Sequence, residues 1–390
     1  MRDLTRCVIH PTVPTEGFDS LAVPVARAST ILFDTVQSYA ARSQRGLDGY
    51  SYGLHGTPTT KVLEAQLNAL DGGVATVLLP SGQAAITNIF QTLLRPGNSV
   101  LIPDTAYPPV RGFCEGFLSD FGIETRIYDP MIGAGIAALM DDTTRLVWTE
   151  SPGSTTMEVQ DLPAITRAAH AKGALVGCDN TWATPLLMKP LALGVDFSVQ
   201  ALSKWAGGHS DLLLGSITVA DPDLRRRLRD TMRMQGIGVS PDDAALVLRG
   251  LETLGVRLAQ SGRVGLDLAR SIAKHTGLRV LHPALPGAVG HEVWKRDFTG
   301  ASGLFGVVLP TEVEPRIDVA LDRLRTFRIG SSFGGTRSLV APMKVAREVP
   351  ERVMQGTILR FSIGLEDPDD LAEDIARLFD ALAPAAAVAS

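Results

Sequence analysis

One lysine, Lys204, stands between a hydroxyl residue, Ser203, and the glycine pair Gly207-Gly208, at the end of the run Asp196-Phe197-Ser198-Val199-Gln200-Ala201-Leu202. The ordinary fate of a lysine is a solvated surface. An amine held out of bulk water behaves differently: its charged form is disfavoured and it becomes a nucleophile for a carbonyl. Upstream, the apolar run Ala174-Leu175-Val176-Gly177-Cys178 ends in Asp179, followed by Asn180-Thr181. An acid there can cap a helix or form a turn. It also occupies the carboxyl end of a buried strand, where α/β sheets place ligand contacts. The two features together are more specific than either alone. A lysine that can form a Schiff base and a carboxylate that can pair with a protonated pyridine nitrogen are what pyridoxal 5'-phosphate requires.

Three further places could serve the same chemistry. Ser81-Gly82-Gln83 follows the β-branched and apolar run Val74–Pro80 and opens a helical stretch. Small residues at such a turn leave backbone N–H groups free for an anion, although Ser81 would also be a simple helix cap. Tyr107 ends the strand-like run 98–103 and its turn, and is either an aromatic plug or a face for a planar ring. Arg360 lies in the alternating run Thr357–Gly364, where its fork could grip a carboxylate through two parallel hydrogen bonds.

With these residues in view, the chain resembles the Cys/Met-metabolism PLP-dependent enzymes, a fold-type-I family, and within it the cystathionine β-lyases. The resemblance is carried by Asp179-Asn180-Thr181-Trp182-Ala183, by Gln200 to Lys204, and by Gly208-His209-Ser210-Asp211. Ser332-Phe333-Gly334-Gly335 and Arg360-Phe361-Ser362-Ile363-Gly364-Leu365-Glu366-Asp367 continue it, so that it runs in consistent order over most of the chain. It implies that Lys204, Asp179, Ser81, Gly82, Gln83, Ser203 and Tyr107 contact the cofactor. It implies that Arg360 anchors the substrate α-carboxylate and that Ser332 steers the lysine and substrate. The loop Tyr50–Thr59 would cross into a partner subunit, with Tyr52 reaching the partner's cofactor phosphate and His55 beside it near the substrate. In three places the chain departs from the pattern. Leu54 stands where an arginine is expected, and His55 could replace that charge only if protonated. Arg337 stands where many members carry a glutamate, and would disfavour a distal ammonium on the substrate if it faced the site. Phe333 replaces a tryptophan common in the β-lyases.

The elements that must position these groups read as an α/β fold. Strand-like runs at 98–103, 145–150, 174–179 and 212–219 alternate with helical patterns such as Leu162–Lys172, which implies a mostly parallel sheet. Thr59 is read as the cap of a helix beginning near Thr60. From residue 242 the pattern changes to a long helix over Asp242–Thr276, short strands near Val280 and at Gly303–Leu309, and a helix over Glu314–Leu324, an α+β lobe. The expected organisation is an extended arm over 1–50, a cofactor-binding domain over 51–241 and a smaller domain over 242–390.

Composition bounds the rest. With 390 residues, 45% hydrophobic and 20% charged, a large core is possible and disorder is not expected. A net charge of −5 argues against a nucleic-acid partner. The basic run Arg225–Arg229 is read as the solvated face of a helix. Cys7, Cys114 and Cys178 suggest neither disulfides nor a metal site, and no signal peptide or membrane span is visible. A cytoplasmic location and no metal are therefore expected, while the resemblance implies a homotetramer with pyridoxal 5'-phosphate as cofactor. The expected reaction is β-elimination of L-cystathionine to homocysteine, pyruvate and ammonia. The alternative is a γ-lyase acting on cystathionine, methionine or another γ-substituted amino acid; a γ-replacement transferase or a non-catalytic relative ranks lower.

Overall fold

A computed structural model describes residues 16–17 and 19–383. The first sheet is built from β1 (Ala75–Leu79), β2 (Ser99–Pro103), β3 (Glu124–Tyr128), β4 (Thr144–Glu150), β5 (Leu175–Asp179), β6 (Phe197–Ala201) and β7 (Gly215–Val219), in the order β1-β7-β6-β5-β4-β2-β3. The five strands from β6 to β3 are parallel, and β7 runs antiparallel to both β1 and β6. Every residue of β2 and of β7 is buried. Strand β2 reads as a near-continuous apolar run because both faces of a parallel sheet are covered.

The longer helices are α1 (Pro58–Asp71), α2 (Gly82–Leu93), α3 (Leu162–Ala171), α4 (Pro222–Gln235), α5 (Pro241–Thr276) and α6 (Pro368–Leu382). A second sheet holds β8 (Val280–Leu281), β9 (Leu304–Val308), β10 (Arg328–Ile329), β11 (Leu339–Met343) and β12 (Ile358–Ser362), ordered β10-β11-β12-β9-β8. It is antiparallel except for the β10–β11 pair. The result is a mostly parallel α/β sheet with a smaller α+β lobe, the architecture the element pattern implies.

Helix α5 ties the two halves together. Its first turns bury Ala244, Val247 and Leu248 against Leu202 and Leu212 beside the first sheet. Its later turns bury Val264, Leu268 and Ile272 with Phe305 and Phe361 of the second sheet. A further core joins Val147, Met157 and Val176 to Leu281, Leu304 and Ile358. Burying each Leu, Ile or Val contributes roughly 1.5–3 kcal/mol, so these shared cores hold the lobes in one relation.

Three local expectations are corrected. Helix α1 starts after Thr57, not Thr59: Thr57 N–H donates to Thr60 Oγ1 at 2.8 Å, with Pro58 at the first helical position. Thr59 is buried and instead fastens the arm, accepting from Ala26 N–H at 2.8 Å and donating to Pro24 O at 2.7 Å. The single helix expected over Glu314–Leu324 is a 3-10 turn (Thr311–Arg316) followed by a short α-helix (Ile317–Leu321). Pro315 lacks the N–H that a continuous helix would need. The run Arg225–Arg229 is not simply solvated. Arg225 turns inward to Asp48 and Arg229 to Glu64, while Leu224 and Leu228 are buried. The described part of the arm is extended but carries a short α-helix, Val36–Ala40, followed by a 3-10 helix, Ala41–Arg45. Cys7 lies outside the described residues.

Candidate active site

The carboxyl ends of β4, β5 and β6 lie side by side, with Glu150 in register with Asp179 and Asp179 with Val199. This edge is where an open parallel sheet offers a crevice. A cavity of about 220 Å³ opens there. Ser81, Gly82 and Gln83 line it from the start of α2, Tyr107 from the turn after β2, and Asp179 from β5. Ser203 and Lys204 line it from the turn after β6, and Arg360 reaches it from β12 of the second sheet.

The turn that presents Lys204 is fixed by backbone bonds: Lys204 N–H donates to Ala201 O at 3.1 Å, and Gly208 N–H donates to Lys204 O at 2.8 Å. Gly208 has φ +75°, and a Cβ there would collide with the guanidinium of Arg257. Arg257 is buried and donates to Trp205 O at 2.9 Å and Gly250 O at 2.7 Å, holding the bend against α5. Gly334 packs so closely on this turn that a Cβ would sit 2.6 Å from Trp205 N. That contact brings Ser332 into reach, and Lys204 Nζ donates to Ser332 Oγ at 2.7 Å. Phe333 places its ring centroid 5.3 Å from the same nitrogen.

Burial lowers the pKa of the Lys204 amine below the ordinary lysine value; Arg360 pushes the same way and Asp179 opposes it. Burial raises the Asp179 carboxyl, partly offset by hydrogen bonds from Thr181, whose N–H donates at 2.9 Å, and by the charge of Lys204. Glu150, absent from the residues singled out in the sequence, is buried beside Asp179. Its pKa stands well above the usual carboxylate value, through burial and then the repulsion of Asp179. It accepts from Tyr107 N–H at 2.7 Å. Glu150 carried the same signal as Asp179, an acid closing an apolar run before a turn, here Ser151-Pro152-Gly153. Burial also lowers the Arg360 guanidinium, which donates to Ser331 O.

These residues fit pyridoxal phosphate. The first N–H groups of α2, at Gly82 and Gln83, have no partners within the helix and suit a phosphate. Ser81 caps the helix by accepting from Ala84 N–H at 3.1 Å. A buried Asp179 stays ionised best against a cation, the role of a protonated pyridine nitrogen. Lys204 stands at the opposite wall as the amine.

Tyr52 and His55 are not brought to this cavity within one chain. His55 lines a separate cleft with Arg42, Arg229 and Arg233. Tyr52 is exposed beside it, its ring centroid 6.4 Å from that of His55. Burial and then the charges of Arg229, Arg233 and Lys61 lower the His55 pKa, which disfavours the protonated form that could stand in for the missing arginine. Leu54 packs against Gly238. Arg337 points outward, 61% exposed, and pairs with Glu366 at 3.3 Å. Its charge is therefore directed away from the cavity.

The model of the family described as Cys/Met metabolism PLP-dependent enzyme matches residues 5–380. A Rhizobium johnstonii protein provisionally assigned as cystathionine β-lyase is 44% identical over 364 residues, covering 92% of this chain and 91% of that protein. The cystathionine β-lyase of Escherichia coli K12 is 40% identical over 361 residues, covering 90% and 91%. Among solved structures, cystathionine γ-synthase from Xanthomonas oryzae pv. oryzae, in complex with aminoacrylate and cysteine, superposes with a TM-score of 0.85 at 28% identity, covering 94% of this chain and 95% of that one.

Proposed function

Since the chain belongs to the Cys/Met metabolism PLP-dependent enzymes, we propose that it is a carbon–sulfur lyase that cleaves L-cystathionine by β-elimination. The observation that carries this reading is the buried Lys204 amine, held 2.7 Å from Ser332 and facing Asp179 and Arg360 across one cavity. The similarity to cystathionine β-lyases supports the choice of substrate.

Bound pyridoxal phosphate supplies an electron sink for the charge left when the α-proton is removed. The protein's part follows from its groups. Gly82, Gln83, Ser81 and Ser203 would hold the phosphate, and Asp179 would keep the pyridine nitrogen protonated. Arg360 grips the substrate α-carboxylate through its fork. Its burial strengthens that contact, because water does not compete. Lys204 in its neutral form takes the α-proton, and the lowered pKa favours that form. The same lysine, now charged, returns a proton to the departing sulfur as the Cβ–S bond breaks. Ser332 limits where its amine can point. Tyr107, which lines the cavity, would lie over the ring and within reach of the substrate amine. Homocysteine leaves as the thiol, and hydrolysis of the remaining fragment yields pyruvate and ammonia.

We also infer a cytoplasmic homotetramer of dimers that share their sites. Tyr52 serves the partner's cofactor phosphate and His55 the partner's substrate, and the arm embraces the neighbour. Supporting this, Tyr52 and the face around it are exposed in the single chain, and Cys114 and Cys178 are buried free thiols suited to a reducing compartment.

The test is product analysis with purified, cofactor-loaded enzyme and L-cystathionine. Homocysteine with pyruvate is the expected pair. Cysteine with 2-oxobutyrate would replace β-elimination by a γ-lyase.

A further inference from the structure

Between β11 and β12 the chain leaves the second sheet and packs against the turn after β2 and the segment after β4. Arg347, in this connection, lies with its guanidinium between two carboxylates that the proposed chemistry does not use. Its Nε donates to Asp104 at 2.7 Å, its Nη1 reaches Glu158 at 3.2 Å, and all three side chains are buried. Asp104 also accepts from Glu348 N–H at 2.9 Å and Val349 N–H at 3.3 Å. At the surface, Arg111 pairs with Glu348 and Arg352 with Asp129, fastening the same connection.

The two carboxylates belong to different walls of the cavity. Asp104 begins the turn that presents Tyr107. Glu158 accepts from Gly153 N–H through its backbone carbonyl at 2.9 Å, and Gly153 and Ser154 line the cavity. The walls also touch each other, with Ser154 N–H donating to Thr105 O at 3.2 Å. Ion pairs withdrawn from water contribute little net stability compared with apolar side chains of the same size, whereas their geometry is sharply defined. A fork gripping both walls is therefore better explained by positioning than by stabilisation.

We propose that Arg347 is a positioning residue that holds Tyr107 over the cofactor by clamping the Asp104 and Glu158 turns together. It touches neither cofactor nor substrate. The proposal rests on the reading of the cavity as a pyridoxal phosphate site covered by Tyr107.

A double-mutant cycle with Arg347→Met and Tyr107→Ala tests it, with Arg347→Lys as the variant that keeps charge but loses the fork. Arg347→Met is expected to lower kcat/KM about 10- to 100-fold, the range for a small misplacement of a reacting group. In the Tyr107→Ala background the further loss should be under about 2-fold, because the residue it positions is gone. Arg347→Lys should fall between wild type and Arg347→Met, and serves alone in the cycle if the methionine variant does not fold. Visible circular dichroism of the bound cofactor supplies a readout without substrate. Arg347→Met should change that band in the wild-type background and leave it unchanged beside Tyr107→Ala. Equal losses in both backgrounds, or an unaltered band and rate in a folded Arg347→Met protein, would overturn the proposal. A wild-type enzyme that binds cofactor but leaves cystathionine intact would overturn the proposed substrate, and the dichroism cycle would still decide the role of Arg347.

Discussion

Lys204 shows how far one residue type depends on its surroundings. The same amine on a surface would be a solvated cation; here burial and Arg360 move it toward the neutral form. Replacing Lys204 by Ala is expected to abolish the visible absorbance of the lysine–cofactor linkage and to lower turnover by about 10²–10⁴-fold, the range for a positioned acid–base group. Normal elimination rates in that variant would remove Lys204 from the mechanism. Asp179→Asn should retain the fold and lower kcat by about 10²–10³-fold, the loss seen when one preorganised electrostatic partner is deleted. It should also lower the Lys204 pKa further, because Asp179 is the anion that opposes the fall. Steady-state rates against pH read both effects. Glu150 beside it has its pKa raised by burial and then by the charge of Asp179, because two adjacent buried carboxylates cannot both be charged cheaply.

The element that delivers Lys204 is β6, and α1 supports it from outside. Asp71, the last residue of α1, accepts from Ser198 Oγ at 3.1 Å and Gln200 Nε2 at 3.3 Å, both on β6. Burial pushes the Asp71 carboxyl up to about 6 from 3.8. A folded-state pKa above the unfolded one means that the native state binds the proton more tightly. This contribution to stability is thus complete below pH 3.8 and is lost as pH rises through about 6. It amounts to roughly 3 kcal/mol, at 1.36 kcal/mol per unit. Asp71→Asn keeps an acceptor for Gln200 and removes the titration. Its melting temperature should therefore vary less than that of the wild type between pH 4 and 6. An unchanged slope would assign the pH dependence to another group. The extended arm is also an element-scale device, because buried Thr59 ties it to α1 by two hydrogen bonds.

At the scale of the whole molecule, the site draws on both lobes. Lys204 and Asp179 come from the parallel sheet, while Ser332, Phe333 and Arg360 come from the second. Shared cores around α5 keep them in register. Tyr52 and His55, which lie outside the cavity in a single chain, belong to the proposed exchange between subunits. Lys204→Ala and Tyr52→Ala proteins, each inactive or nearly so, should regain activity after unfolding and refolding together. Mixed dimers would contain one site with both residues intact. No recovery in mixed dimers isolated with two different tags would argue for sites complete within one chain.

The sequence by itself determined the chemistry of the first sheet's edge. Asp179 and Lys204 are legible because each closes a run whose periodicity marks a strand, and because local turns set their positions. The same logic would have reached Glu150. Arg360 could be read as a carboxylate grip on a strand, but its place at this site, like that of Ser332, came from resemblance alone, since no local pattern says that a strand more than 150 residues later meets Lys204. That meeting is made by packing: Gly334 fits against the turn at Trp205 because it has no side chain there. Arg337 could not be placed from its neighbours in sequence; its pairing with Glu366 directs it away from the cavity. His55 looked able to carry a charge, and only the folded chain buries it beside Arg229, Arg233 and Lys61, all of which lower its pKa. The Arg347 clamp was invisible for the same reason. Its partners, Asp104 and Glu158, lie far back in the chain, and burial and charge pairing across such separations are properties of tertiary structure, not of any window of residues.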